Sequence, residues 1–166
     1  MLEYVIEGLL MQNDMSGYDI KQNIDSVKYF NASYGSIYPT LKKMEAEGLI
    51  ISKEIVEGGK YKKIYSINDK GKKRFSEWLQ KPVDIVRSDN EHLVKMSFYS
   101  YVPKEKLKDL ISELIINVSA MIRRLEVLKM RLEKNMDDFQ TWTVVFGIDY
   151  YRFLKEWYQR LLKELN

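Results

Sequence analysis

The chain has 166 residues, 45% hydrophobic and 31% charged, enough for one ordinary domain or two small ones sharing a core, and unlike a disordered or fibrous chain. A net charge of +3 is too small to announce a nucleic-acid partner, and the absence of cysteine excludes disulfides, thiolate metal sites and cysteine nucleophiles while fitting a reducing cytoplasm. Glu3 and Glu7 stand where a secretory signal would be basic and then apolar, and no apolar run approaches the roughly 20 residues that span a bilayer, so a soluble intracellular protein is expected.

From the amino terminus, Tyr4 to Met11 is apolar at helical spacing through Val5, Ile6, Leu9 and Leu10, and Asn13-Asp14 ends it. Ser16 suits the cap of a second helix, Gly17 to about Phe30, with Asp19 three residues on as an acidic variant of the capping box. After Asn31-Ala32-Ser33 a third helix runs to Glu47, with Ile37, Leu41 and Met44 on one face and Gly48 as its stop. Pro39 fits two starts: with Ser36 as cap it falls where the N–H is orphaned anyway, and with a start at Tyr34 the first turn is irregular. Leu49 to Val56 and Tyr61 to Ile67 are rich in Ile, Val and Tyr and flank Glu57-Gly58-Gly59-Lys60, which predicts a β-hairpin. Asn68 or Asp69 then caps a fourth helix carrying Phe75, Trp78 and Leu79. Three helices followed by a hairpin is the winged form of the helix-turn-helix, so the layout itself suggests a nucleic-acid module.

Pro82 divides residues 1–81, read as a winged helix-turn-helix DNA-binding domain, from 82–166, read as a helical dimerisation and possible effector domain. The expected class is mainly α with a small β-hairpin. A helix near Asn90 to Tyr101 carries Leu93, Met96 and Phe98. From Lys104, Leu107, Ile111, Leu114, Val118, Met121, Leu125, Leu128 and Leu132 recur at alternating steps of four and three, an apolar heptad seam among Lys and Glu. Met136-Asp137-Asp138 interrupts it. A last helix from about Phe139 carries Trp142, Phe146, Tyr150, Phe153, Trp157 and Leu161, an aromatic stripe at helical spacing.

The strongest functional signal is the third helix with the wing. Tyr34, Ser36, Tyr38, Thr40, Lys42 and Lys43 alternate with the inward Ile37, Leu41 and Met44, and supply hydroxyls, aromatic surface and cations for phosphates or base edges. The wing adds Lys60, Lys62 and Lys63, and Lys70, Lys72, Lys73 and Arg74 open the fourth helix. Lysines solvate any surface, and a single cluster would be read so; a basic wing beside a hydroxyl-rich helix favours DNA. The seam reads first as core, and then as a dimer contact through Leu107, Ile111, Leu114, Val118, Met121, Leu125 and Leu128, since such regulators bind paired half-sites as two-fold dimers. The aromatic stripe reads as core or dimer interface, with an apolar effector site at Trp142, Phe146, Tyr150 and Trp157 as the alternative. His92, the only histidine, reads as a surface residue with no second metal-type ligand at helical spacing. Gly58-Gly59 lacks a phosphate-loop context and is a turn, while Asp84 and Asp137-Asp138 read as solvated loop residues or caps. No catalytic, metal or cofactor constellation is expected. The competing class is a protein-interaction adaptor, with the helical tail as its working part and the winged domain binding protein.

The stretch Ser33-Tyr34-Gly35-Ser36-Ile37-Tyr38-Pro39-Thr40-Leu41-Lys42-Lys43-Met44-Glu45-Ala46-Glu47-Gly48-Leu49-Ile50 closely resembles the signature of PadR-type regulators. Ser16-Gly17-Tyr18-Asp19-Ile20 is similar to the start of that family's second helix, and Lys63-Ile64-Tyr65-Ser66-Ile67-Asn68-Asp69-Lys70-Gly71 to its wing exit, with Asn68 where a threonine is usual. The resemblance covers residues 1 to about 80; beyond Pro82, Gly147-Ile148-Asp149-Tyr150 running to Trp157 looks like the longer-tailed subgroup. It implies a dimeric repressor that leaves a near-palindromic operator on double-stranded DNA when a small aromatic or amphipathic molecule binds. The third helix would enter the major groove, the wing would touch the minor groove, and the tail would dimerise. On that footing Tyr18, Lys21, Ser33 and Pro39 join the DNA-binding set.

Overall fold

The structure, a computed structural model, describes residues 1–26, 30–83, 90–132 and 136–165, with Glu57, Lys60 and Leu132 described by backbone alone. The expected passage of the second helix through 27–29 and the carboxylate of Asp84 lie outside the described residues. Two compact units result, Met1–Lys81 with Ser88–Val102, and Pro103–Asn166 with Pro82–Arg87.

In the first unit, α1 (Leu2–Gln12), α2 (Gly17–Ser26), α3 (Tyr34–Ala46) and α4 (Asp69–Leu79) surround a core that includes Ile6, Ile20, Ile24, Ile37, Leu41, Met44, Phe75 and Leu79. Removing these side chains from water drives the assembly, each full burial being worth about 1.5–3 kcal/mol. The hairpin is β2 (Ile50–Glu57) and β3 (Lys60–Ile67), antiparallel, with Ile50 opposite Ile67 and Glu57 opposite Lys60. Its two connecting residues, Gly58 and Gly59, have φ of 57° and 75°, the left-handed pair that a tight turn matched to strand twist requires. Winged helix-turn-helix order is therefore present, with one addition. A two-residue strand, β1 (Met15–Ser16), pairs antiparallel with β3 through Met15↔Tyr65 and Ser16↔Ile64, giving the sheet order β1-β3-β2. Two residues carry no period, so nothing local marks this strand.

The caps follow the sequence. Asp19 N–H donates to Ser16 Oγ at 3.2 Å while Ser16 N–H donates to the Asp19 carboxylate at 3.0 Å, a reciprocal box at the start of α2. Of the two starts open to α3, Tyr34 is the one adopted, and Pro39 lies inside the helix. Proline brings no N–H, and the helix tolerates it because Pro39 and the carbonyl-bearing Gly35 both sit on the exposed side. At the other end Leu49 N–H reaches Met44 O and Gly48 N–H reaches Glu45 O, with Gly48 at φ 66°, the closing pattern of a Schellman turn. Asn68 accepts from Gly71 N–H and caps α4.

The segment after Pro82 corrects two expectations. The helix anticipated from Asn90 to Tyr101 is split into α5 (Glu91–Met96) and a 3-10 turn at Tyr99–Tyr101, both within the first compact unit. The Phe98 ring lies against Gly8 of α1, where a Cβ would come within 2.4 Å of it, and meets Phe75 edge-on at 5.4 Å. Lys95 is buried, with its ammonium donating to Lys81 O at 2.7 Å, 3.2 Å from Glu91 and 5.0 Å from the Trp78 ring centroid. His92, expected at the surface, is buried, and burial holds its pKa below the ordinary histidine value. A six-residue helix shows no period by which sequence could tell its inner face from its outer one.

In the second unit α6 (Lys104–Leu132) and α7 (Asp138–Glu164) pack along each other, with Gly147 against Leu125 and Arg152 paired with Glu126 at 2.7 Å. Asp137 caps α7 in a full capping box with Gln140. Leu107, Ile111, Leu114 and Val118 are buried, Met121 and Leu125 half-buried, and Leu128 exposed. The aromatic stripe is not the core of this chain. Phe139, Trp142, Phe146 and Phe153 are 59–76% exposed, whereas α7 buries Ile148, Leu154 and Tyr158. No helix among the described residues is long and apolar enough to cross a membrane.

Candidate nucleic-acid interface

One face of the first unit gathers the start of α2, the outer flank of α3 and the wing. Ser16, Gly17, Tyr18, Tyr38, Tyr61, Lys62, Lys63 and Tyr65 line a single groove there. Its floor depends on a glycine: a Cβ on Gly17 would lie 2.6 Å from the Tyr38 ring, so only glycine lets that ring rest on the first turn of α2. Tyr34 and Tyr38, one helical turn apart, stack with centroids 6.2 Å apart, and the Lys21 ammonium stands 5.8 Å from the Tyr34 ring. Tyr18, Tyr34 and Tyr38 are exposed, so their phenols can donate outward to phosphate or base edges.

The serine and threonine hydroxyls behave differently from the sequence-based expectation of outward donors. Ser36 Oγ donates to Ser33 O at 2.8 Å and accepts from Ser33 Oγ at 3.4 Å, and Thr40 Oγ1 donates to Ser36 O at 2.7 Å, so each of these two protons is spent on a local carbonyl. Ser33, Pro39 and Lys42 are exposed on the same helix.

The cations are held by acids. Lys63 pairs with Glu45 at 2.9 Å, Lys62 with Asp19 at 3.5 Å, Lys21 with Asp25, and Lys43 with Glu3 at 2.7 Å and Glu47 at 3.7 Å. Hydrogen bonding from Ser52 and then Lys63 holds the Glu45 carboxyl below its ordinary range, and the Glu45 contact raises Lys63 in turn. Bonds from Ser16 hold Asp19 low. For Lys60 the structure fixes the strand position opposite Glu57.

The basic run at the start of α4 is not one patch. Lys72 and Lys73 are exposed and Lys70 donates to Glu47 O at 2.6 Å, but Arg74 turns inward. Its guanidinium donates to Glu7 and Glu3, both at 2.8 Å, and lies 5.3 Å from the Tyr4 ring, which stacks on Trp78 at 4.4 Å. Glu7 is fully buried, and desolvation, opposed by Arg74, pushes its pKa up to about 7. The partners lie 67 and 71 residues away in sequence, beyond any local signal.

Two features escaped the sequence reading. Tyr61, just past the Gly-Gly turn, is 85% exposed on the wing beside Lys62 and Lys63; an aromatic residue next to the hairpin tip was the available sign. A mainly apolar cavity of about 210 Å³ within the first unit is lined in part by Val5 and Leu9 of α1, Ile24 of α2, Phe30, Val94 and Phe98, and no spacing in the sequence announces it. Among the described residues no group of three His, Cys, Asp or Glu side chains could hold a metal ion.

Residues 6–77 match the model of the transcriptional regulator PadR-like family, and residues 90–166 match that of the virulence activator alpha C-terminal family. The negative transcriptional regulator PadR of Bacillus subtilis is 33% identical over 118 residues, covering 68% of this chain and 64% of that protein. A probable transcriptional regulator of Mycobacterium tuberculosis is 30% identical over 89 residues, 52% of this chain and 47% of that protein. The aligned part thus spans less than two thirds of either curated relative. Among solved structures, Bacillus subtilis PadR in complex with operator DNA covers 99% of both chains at 27% identity and a TM-score of 0.49, and a PadR-like transcriptional regulator from Bacillus cereus covers 99% of this chain and 98% of that one at 33% identity and 0.44.

Proposed function

Because the chain belongs to the PadR-like family of transcriptional regulators, we propose that it is a dimeric DNA-binding repressor of the cytoplasm, released from its operator by a small aromatic or amphipathic molecule. The observation that carries this reading is the single face on which Tyr18, Tyr34, Tyr38, Tyr61, Lys62 and Lys63 converge. The outer flank of α3, with Tyr34, Ser36, Tyr38, Thr40 and Lys42, enters the major groove, while Ser33, Pro39 and Lys21 lie against the backbone. Lys60, Lys62 and Lys63 take adjacent phosphates as the wing meets the minor groove. Lys43, already shared by Glu3 and Glu47, contributes less charge than its place on α3 implies.

Dimerisation falls to the surfaces one chain leaves uncovered. Leu107, Ile111, Leu114 and Val118 are spent on the chain's own packing, so the second copy meets Met121, Leu125 and Leu128 of α6 and the exposed stripe of α7. A two-fold pair then spaces its α3 helices for half-sites about one helical turn, ~34 Å, apart. The effector binds at Trp142, Phe146, Tyr150 and Trp157 where the stripe is incompletely covered, or in the cavity beside Phe98; the mainly apolar lining of that cavity favours the second place for an uncharged ring. No enzymatic step is assigned, in keeping with relatives that are transcriptional regulators.

The test is selection of fragments bound by the purified full chain from the genomic DNA of its source. A recurring near-palindrome is the expected result. Recovery of fragments without a shared sequence, from a protein that is folded and dimeric, would sink the reading and favour an interaction adaptor.

A further inference from the structure

Glu45 is one of two acidic residues of the signature stretch, with Glu47, and DNA reading by itself gives it no task. It lies on α3, the helix placed in the groove, where a lone carboxylate would repel phosphate. Both its oxygens are engaged by the wing: Ser52 Oγ of β2 donates to Oε1, and Lys63 Nζ of β3 stands 2.9 Å from Oε2. One side chain thereby ties α3 to both strands of the hairpin. A parallel link, Asp19 to Lys62 at 3.5 Å, joins α2 to the same strand. Lys63 is 42% exposed, so it reaches phosphate while keeping its carboxylate partner.

We infer that Glu45 is a positioning and specificity-determining residue: it holds Lys63 and the wing in register with α3, and its charge offsets sequence-independent affinity for the DNA backbone. The inference rests on the DNA-binding reading above. Discrimination is a difference of affinities, and it grows when attraction common to every sequence is reduced. Glu45 supplies that reduction from within the reading helix.

The test compares the full chain with Glu45→Gln and Ser52→Ala on two duplexes, the fragment enriched from genomic DNA and a random-sequence duplex of equal length, from about 50 to about 200 mM salt. Glu45→Gln keeps an oxygen acceptor for Ser52 but removes the charge. Affinity for the random duplex should rise about eightfold at about 0.1 M salt, and the slope of log affinity against log salt should steepen by about 0.9, the increment of one further phosphate neutralised. The ratio of specific to random binding should fall several-fold. Ser52→Ala keeps every charge and loosens only the orientation, so the slope should stay as in the wild type while the ratio falls about twofold or more. An unchanged ratio in both variants overturns the inference. So does equal weakening on both duplexes at the wild-type slope, the mark of a purely structural role. A wild type that prefers no fragment overturns the DNA-binding reading itself, and this inference with it.

Discussion

Replacing Glu7 by glutamine should change how stability depends on pH, and its size follows from one buried carboxyl. Glu7 is fully buried on α1, with Oε1 receiving Arg74 Nε at 2.8 Å and Oε2 meeting no donor among the described residues; Glu3 shares the same guanidinium. Desolvation raises its pKa from an ordinary 4.5 to about 7 despite Arg74. Between those values the folded chain holds a proton that the unfolded chain releases, so this group's contribution is full below about pH 4.5, falls as pH rises and is gone above about 7. The difference of about 2.5 units corresponds to about 3 kcal/mol. Urea unfolding of the wild type and Glu7→Gln, each at about pH 5 and about pH 8, isolates it: Glu3, Asp19 and Glu45, held low, lose their contributions only at more acid pH, and the buried His92, whose depressed pKa makes stability rise with pH, is common to both proteins and cancels in their difference. The wild type should lose about 2.5 kcal/mol relative to the variant between the two conditions, since a part of the full difference is already gone at about pH 5. Any pH-independent cost of the altered Arg74 contact displaces the variant's curve without tilting it. Parallel curves would refute the reasoning, since they would mean that Glu7 titrates like a solvated carboxylate.

Three further outcomes are expected. Gly17→Ala places a methyl group 2.6 Å from the Tyr38 ring, and because that ring is half exposed it should swing away at a stability cost under about 1.5 kcal/mol, while specific DNA binding loses about 1–3 kcal/mol; thermal unfolding and gel shift measure the two, and unchanged specific affinity would remove Tyr38 from the reading face. Changing Lys60, Lys62 and Lys63 together to glutamine should flatten the salt slope of DNA binding by up to about 2.7, and an unchanged slope would speak against the wing as a phosphate contact. Trp142→Ser with Phe146→Ser removes two exposed aromatics from α7, and sedimentation equilibrium should show dissociation to monomers with helix content kept; a persistent dimer would place the interface elsewhere.

What the sequence determined by itself were the features whose causes lie within a few residues. Ser16 and Asp19 form the anticipated capping box, Gly48 closes α3, Gly58-Gly59 turns the hairpin, and Asn68 caps α4. Each depends on backbone groups one to four positions away, and their order was enough for a winged helix-turn-helix. The outer flank of α3 proposed to read DNA was legible to the same extent as a surface, because Tyr34, Tyr38 and Lys42 are set outward by the helical period that turns Ile37, Leu41 and Met44 inward. Tertiary structure alone decided which partner each charged or aromatic group met. Arg74 looks like the end of a basic patch, yet it is drawn to Glu3 and Glu7 across 71 and 67 residues of chain. Lys63 and Glu45 become one link only when the hairpin folds back on α3. β1 exists only because β3 offers its edge, and the stripe of α7 is left uncovered because Ile148, Leu154 and Tyr158 are buried instead. Local signals act through neighbouring backbone, whereas burial and ion pairing depend on surfaces assembled from distant segments, and no period in the chain encodes which of these surfaces meet.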